Sequence, residues 1–244
     1  MTDLVQDLLS SFVIAEAGLN GAKNLGVVNM RKEALDRFEA AGFPTTRDEE
    51  WKYTNLKPLL KHDFKIMLKS ESAVSFLDIK QYLLSDLDTY KLVFINGKYS
   101  SWLSESTHQS YDICTFAAAL NKYPDIIAKY LGKAAPAGET FVDLNMAFAD
   151  DGAYIRIKAN QTVDKPIEIL YITTDENGTS FSQNRNLIIV EQNAEVQILE
   201  RHQNINEAES FTNFVSEVFA ARDARVSYYK VQNDSEKASL VDNT

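Results

Sequence analysis

Apolar and polar residues alternate along the C-terminal part of the chain, and one alternating pattern occurs three times. It reads Gly152-Ala153-Tyr154-Ile155-Arg156-Ile157, then Asn193-Ala194-Glu195-Val196-Gln197-Ile198, then Asp223-Ala224-Arg225-Val226-Ser227-Tyr228. Gly, Asn and Asp enter positive φ at low cost, so each copy predicts a tight turn. The alternation that follows predicts a short strand with one buried face. The upstream flanks of the first two copies agree as well. Asn145, Ala147 and Ala149 stand at the offsets of Asn186, Ile188 and Val190, and the third copy keeps Asn213 with three extra residues before its turn. Strand, tight turn and strand in repetition predict a stacked β-solenoid.

The N-terminal part has a different period. Leu4, Leu8 and Phe12, flanked by Val5, Leu9 and Val13, predict a helix over 3–15, broken at Gly18 and Gly21. A second helix is predicted over 29–41, with Gly42 as its C-terminal cap. Thr46 and Glu49 have capping-box spacing, which predicts a short helix that Pro58 ends. Residues 75–86 predict a helix with Ser75 as N-cap. Lys91–Ile95 and Lys98–Leu103 around Asn96-Gly97 predict a hairpin. Tyr111–Lys133 predicts one or two helices interrupted at Pro124 and closed at Gly132. Ala134–Gly138 predicts a linker, and Pro166 suits the start of a strand. Three segments result: a helical domain over 1–88, a hairpin with helices over 89–138, and solenoid over 139–244.

Composition narrows the function classes. At 244 residues, 45% hydrophobic and 25% charged, the chain can bury a full core. The net charge of −10 argues against wrapping nucleic acid. The single cysteine, Cys114, allows no intrachain disulfide and predicts a reducing compartment. No basic signal-peptide start and no membrane-length apolar run is present, so a cytoplasmic location is expected.

Candidate chemistry is sparse. Cys114 lies in an apolar stretch and reads as a buried small side chain. Glu200 and His202 share one face of a predicted strand. A metal pair there would need a third ligand, so they read as a solvated polar face. His62 and His108 stand alone. Asp143, Asp150, Asp151 and Asp164 would be the acids of a β-helix lyase or hydrolase, although Asp150-Asp151 also suits a turn. Neither a Walker loop nor a dinucleotide fingerprint is present. The segment Arg47-Asp48-Glu49-Glu50-Trp51-Lys52-Tyr53 sets two aromatics among mixed charges. It reads as a helix packed by Trp51, or as a docking surface carried by Arg47, Glu50, Trp51 and Tyr53.

That segment, continued through Thr54, resembles the N-terminal signature of the SufD proteins, scaffold subunits of the SUF iron–sulfur cluster assembly system. The resemblance continues in order through Val93–Gly97, Leu144–Phe148, Gly152, Lys165–Ile167, Arg185–Leu187, Asn193–Glu195 and Thr212-Asn213. It implies a right-handed parallel β-helix behind a helical domain. It also implies a non-catalytic subunit that works with a SufB-like paralogue and a SufC-like ATPase. The complex would handle the cluster and ATP would bind the partner. Family members continue well past Thr244, so no cluster ligand or ATPase contact is carried over. An incomplete β-helix, open at its C-terminal end, is expected to self-associate through that end. Two rival readings are a β-helix carbohydrate-active enzyme and a generic interaction module.

Overall fold

Helix α1 (Leu4–Ala15) buries Leu8, Phe12 and Ala15, a stripe set by helical spacing. The structure, a computed structural model, describes residues 4–61, 65–66, 73–84, 86–105, 110–174, 180–207 and 209–244. Helix α2 (Leu25–Ala41) begins earlier than its apolar period because the Asn24 side chain accepts from the amides of Gly26 and Val27. Gly42 closes it at φ +65°, donating its N–H to the Phe38 carbonyl at 2.8 Å. The cap after it lies one residue before the predicted one. Asp48 Oδ2 accepts from the Thr45 amide and hydroxyl, and only a 3-10 turn, Glu49–Trp51, follows.

The chain then forms strand β1 (Lys65–Ile66), helix α3 (Phe76–Ile79), and strands β2 (Tyr90–Ile95) and β3 (Lys98–Tyr99). Strand β4 (Asp112–Thr115) precedes α4 (Phe116–Lys122) and α5 (Pro124–Tyr130), so the first residues of the predicted helical stretch are extended. Helix α6 (Thr140–Phe148) leads into β5 (Ala153–Ile157), β6 (Ile167–Thr173), β7 (Ser180–Val190), β8 (Glu195–Asn204), β9 (Ser210–Ala220), β10 (Arg225–Asn233) and β11 (Ala238–Asn243).

Two sheets face each other. One has the order β11-β9-β7-β5-β4, with β1 also on β7; the other has the order β10-β8-β6-β2-β3. Pairing is parallel except at β4–β5 and β2–β3. Ile155, Ile157, Ile169, Ile188, Val196 and Ile198 fill the space between them. Helices cover the outer face of the first sheet, where Phe12, Phe38, Phe141, Phe148, Phe181 and Phe211 pack together. With both faces covered, β7 is buried at every residue and loses the alternation of a half-exposed strand.

The expectation of a mainly β, right-handed parallel β-helix, incomplete at its C-terminal end, is not met. The fold is α/β: two mixed sheets with helices, and among the described residues no closed solenoid. Two facts undo the repeat argument. The strand of the first copy, β5, lies in one sheet, while those of the other copies, β8 and β10, lie in the other. The upstream flanks also differ in kind. Asn145 and Ala147 belong to helix α6, whereas Asn186, Ile188 and Val190 belong to strand β7. The shared spacing was local turn chemistry. Asn193 and Asp223 do adopt φ +56° and +60°. Gly152 is required for a different reason: a Cβ there would lie 2.2 Å from the Arg185 carbonyl oxygen.

Candidate functional site

A polar seam runs through the space between the sheets, centred on Asn186 and Glu200, both fully buried. Asn186 comes from β7. Its Oδ1 accepts from the Ala153 amide at 2.8 Å and the Tyr171 hydroxyl at 2.5 Å. Its Nδ2 donates to Glu200 Oε2 at 2.9 Å and Ser216 Oγ at 3.2 Å. Glu200 comes from β8. Its Oε1 meets His202 Nε2 at 2.7 Å and Lys230 Nζ at 3.2 Å, and Oε2 accepts from the Tyr228 hydroxyl at 2.5 Å. The His202 ring stacks on Tyr171 and stands edge-on to Phe214. One carboxylate thus joins β7 of one sheet to β8 and β10 of the other.

Glu200 and His202 are therefore not a solvated face. Their side of the strand looks at the opposite sheet, and they are 0% and 4% exposed. Burial alone would raise the Glu200 carboxyl, yet His202, Lys230 and Tyr228 hold it below its usual range. Burial, reinforced by the Glu200 charge, raises the hydroxyls of Tyr171 and Tyr228.

A second buried knot sits on the other side of β7. Arg185 donates to Glu217 Oε1 through Nε at 3.0 Å and Nη2 at 2.7 Å, and to Asn145 Oδ1 at 3.0 Å. Glu217 also accepts the amide of Gly132, predicted to close the helical stretch, and that of Ala134, the first residue of the predicted linker. Asn145 Nδ2 reaches the carbonyls of Asn184 and Asn213. The knot sews α6 and the 132–135 loop to the sheet.

The four acids of the carbohydrate-enzyme reading do not converge. Asp143 binds Arg37 and the Gly138 amide. Asp150 meets Lys98 Nζ and the Asn20 amide, each at 2.5 Å. Asp151 accepts the amides of Gly152 and Tyr99, and burial pushes its carboxyl up to about 6. Asp164 accepts from the Tyr90 hydroxyl. Each ties one part of the fold to another. Cys114 lies half-buried on β4, and burial raises its thiol to about 11, away from a reactive thiolate. His62 and His108 lie outside the described residues. Among the described residues, no group of three or more His, Cys, Asp or Glu could hold a metal ion.

The Trp51 segment borders a groove of about 790 Å³ between residues 50–59 and the margin of β9 and β11. Trp51, Leu56, Leu59 and Leu240 form its apolar lining. Trp51 also packs on Phe141, with ring centroids 5.0 Å apart. Of the four proposed docking residues, Glu50 and Trp51 line this groove; Arg47 and Tyr53 do not, and Tyr53 is 92% exposed.

The sequence carries a signal for the buried polar groups. Ser182-Gln183-Asn184-Arg185-Asn186 is a polar run that ends in Leu187-Ile188-Ile189-Val190, and all of it lies in one buried strand. Such a run fits only where the fold supplies partners on both faces.

Comparison with known proteins agrees with the sequence resemblance. A family model described as SufBD protein N-terminal region matches residues 4–169. A second, described as SUF system FeS cluster assembly, SufBD core domain, matches residues 171–244. An iron–sulfur cluster assembly SufBD family protein of Synechocystis is 31% identical over 235 residues, covering 90% of this chain and 50% of the relative. The iron–sulfur cluster assembly protein SufD of Escherichia coli is 26% identical over 202 residues, covering 82% of this chain and 45% of the relative. A chloroplastic SufBD family protein of Arabidopsis thaliana is 30% identical over 123 residues. The chain spans about half the length of the first two relatives.

Proposed function

This chain belongs to the SufBD family, and from that premise we propose that it is a non-catalytic part of an iron–sulfur cluster assembly machine, working with a SufB-like subunit and a SufC-like ATPase. The observation that carries this reading is the abutting pair of family matches, 4–169 and 171–244, in the family's order. The cluster is cargo in this proposal, and none of its ligands is assigned here. Nucleotide energy enters through the ATPase, in keeping with the lack of a phosphate-binding loop motif in this sequence. The buried seam and knot suit a structural part, because each charge is satisfied by neighbours within the fold. Among the described residues no helix is long and apolar enough to cross a membrane. We place the assembly in the cytoplasm.

The test is anaerobic affinity purification of the endogenously tagged protein, followed by mass spectrometry. The expected result is co-recovery of a SufB-like subunit and its ATPase, with iron and sulfide in the eluate. Recovery of the tagged protein alone, or with partners unrelated to cluster assembly, would overturn the proposal.

A further inference from the structure

We infer that the small chamber between the sheets beside Gly97 binds a single monovalent cation of sodium size. The inference rests on the interior of the fold, uses no free strand edge, and holds whether or not the chain takes part in cluster assembly.

The chamber, of about 10 Å³, is lined by Gly97 of the β2–β3 turn, Ser182 and Asn184 of β7, His202 of β8, Thr212 of β9 and Asp234 of the turn into β11. A volume of that order admits one water-sized particle. Three observations specify the occupant. The first is an orphaned oxygen. Asn184 is 1% exposed, and its Nδ2 donates to the carbonyls of Gly97 at 2.9 Å and Asp151 at 3.4 Å. Those two acceptors fix which way the amide points. Its Oδ1 has no hydrogen-bond partner among the described residues. A buried acceptor left unpaired is costly, and a donor or cation beside it removes the cost.

The second is a cradle. Gly97 has φ +79°, and a Cβ there would lie 3.0 Å from Asn184 Oδ1 and 2.9 Å from the Ser182 Cβ. The missing side chain leaves space open at the orphaned oxygen. Ser182 Oγ and Thr212 Oγ1, 3.2 Å apart, add two hydroxyl oxygens with lone pairs to spare. The third is charge. Burial raises the Asp234 carboxyl, and His202 and the Gln232 side chain oppose that rise. No lysine or arginine among the described residues lies close enough to do the same.

A water would answer Asn184 Oδ1 but leave the Asp234 charge without a cation, whereas one small positive ion answers both. Hard divalent cations bring a full shell of oxygens and waters, for which so small a chamber has no room. His202 is not counted as a ligand, because its Nε2 is spent on Glu200. The site is thus one carboxylate among neutral oxygens, unlike a cluster of His, Cys, Asp and Glu, of which the described residues hold none fit for a metal. An ion there fastens the β2–β3 turn to β7, β9 and the turn into β11.

The test follows the unfolding midpoint of the purified protein at about pH 8, above the ordinary imidazole range. Ionic strength is held constant as sodium chloride replaces choline chloride. The midpoint is expected to rise with sodium and to saturate the binding term, as an ion that binds only the folded state requires. Caesium, too large for the chamber, is expected to give no rise. Asp234→Asn, in a half-buried turn, removes the one charge and is expected to raise the half-saturating sodium concentration at least ~10-fold. Ser182→Ala removes one oxygen, leaves the backbone as it is, and is expected to raise that concentration as well. Equal midpoints in sodium and choline would assign the chamber to water and overturn the proposal. An equal rise with caesium would mark a general salt effect and overturn it too. So would a sodium response left unchanged in either variant, which would place the ion elsewhere.

Discussion

Glu217 and Glu200 are both fully buried carboxylates, yet they meet different chemistry. Glu217 faces outward from the first sheet toward α6 and is held by a guanidinium and backbone amides. Glu200 faces the opposite sheet and is held by an imidazole, an ammonium, a phenol and an amide side chain. The guanidinium meets Glu217 through two N–H groups in one plane, while Glu200 divides its two oxygens among four different side chains. The first carboxylate therefore fastens helix to sheet permanently. The second joins the two sheets through side chains drawn from three strands. Burial is the same in both, so the partner set decides how each junction responds to conditions.

The largest effect that could break this contrast is at Arg185. Arg185→Met leaves Glu217 buried without its cation and is expected to cost about 3–5 kcal/mol, by the usual penalty for breaking a buried pair. Denaturant unfolding measures it, and a loss below about 1 kcal/mol, the range of exposed pairs, would show that the knot is not structural.

Asp151 is a buried carboxylate held by backbone amides. Its pKa is raised to about 6, so the folded state binds its proton more tightly than the unfolded state does. The associated stability is fully present below the unfolded value near 3.9 and is lost as pH rises through about 6, a fall of about 3 kcal/mol. Asp151→Asn is expected to flatten the stability profile across that window, and an unchanged slope between pH 4 and 6 would reject the assignment.

Glu200 has the opposite sign. Its folded pKa is depressed, so its contribution is present above the unfolded value of about 4.3 and is lost as pH falls through the folded value. Glu200→Gln keeps the shape but removes the charge, and is expected to cost about 1–3 kcal/mol at neutral pH, the range for unsatisfied buried partners. The His202 imidazole signals in NMR should shift in the same variant. If they do not move, the 2.7 Å contact is not an electrostatic partnership.

The smallest effect is expected at Tyr53, 92% exposed. Tyr53→Ala should change stability by no more than about 0.5 kcal/mol. A larger loss in thermal unfolding would mean that this ring is packed, like Trp51, and not a free surface aromatic.

Local features were legible before any coordinates. The α1 stripe, the Gly42 cap, the Asn96-Gly97 turn and the left-handed residues Asn193 and Asp223 depend on neighbours a few positions away. Of the Trp51 segment, Glu50 and Trp51 line the groove. Less legible were Glu200 and His202. Period-two alternation says that two residues share a face, but not which faces of a sheet are covered. Asn145 was misread because the same spacing of small and polar residues fits a helix and a strand.

By itself, then, the amino-acid sequence determined the left-handed turns, the Gly42 cap, most of the helices and the ordered motifs shared with the SufBD family. Those are written in residues close to one another along the chain. The tertiary structure alone decided that β5 and β8 belong to different sheets and that β7 is covered on both faces. It alone brought Asn186, Glu200 and Tyr228 from three strands to one seam. Such contacts join residues far apart in sequence, and a buried polar side chain shows its purpose only when its partners are in place.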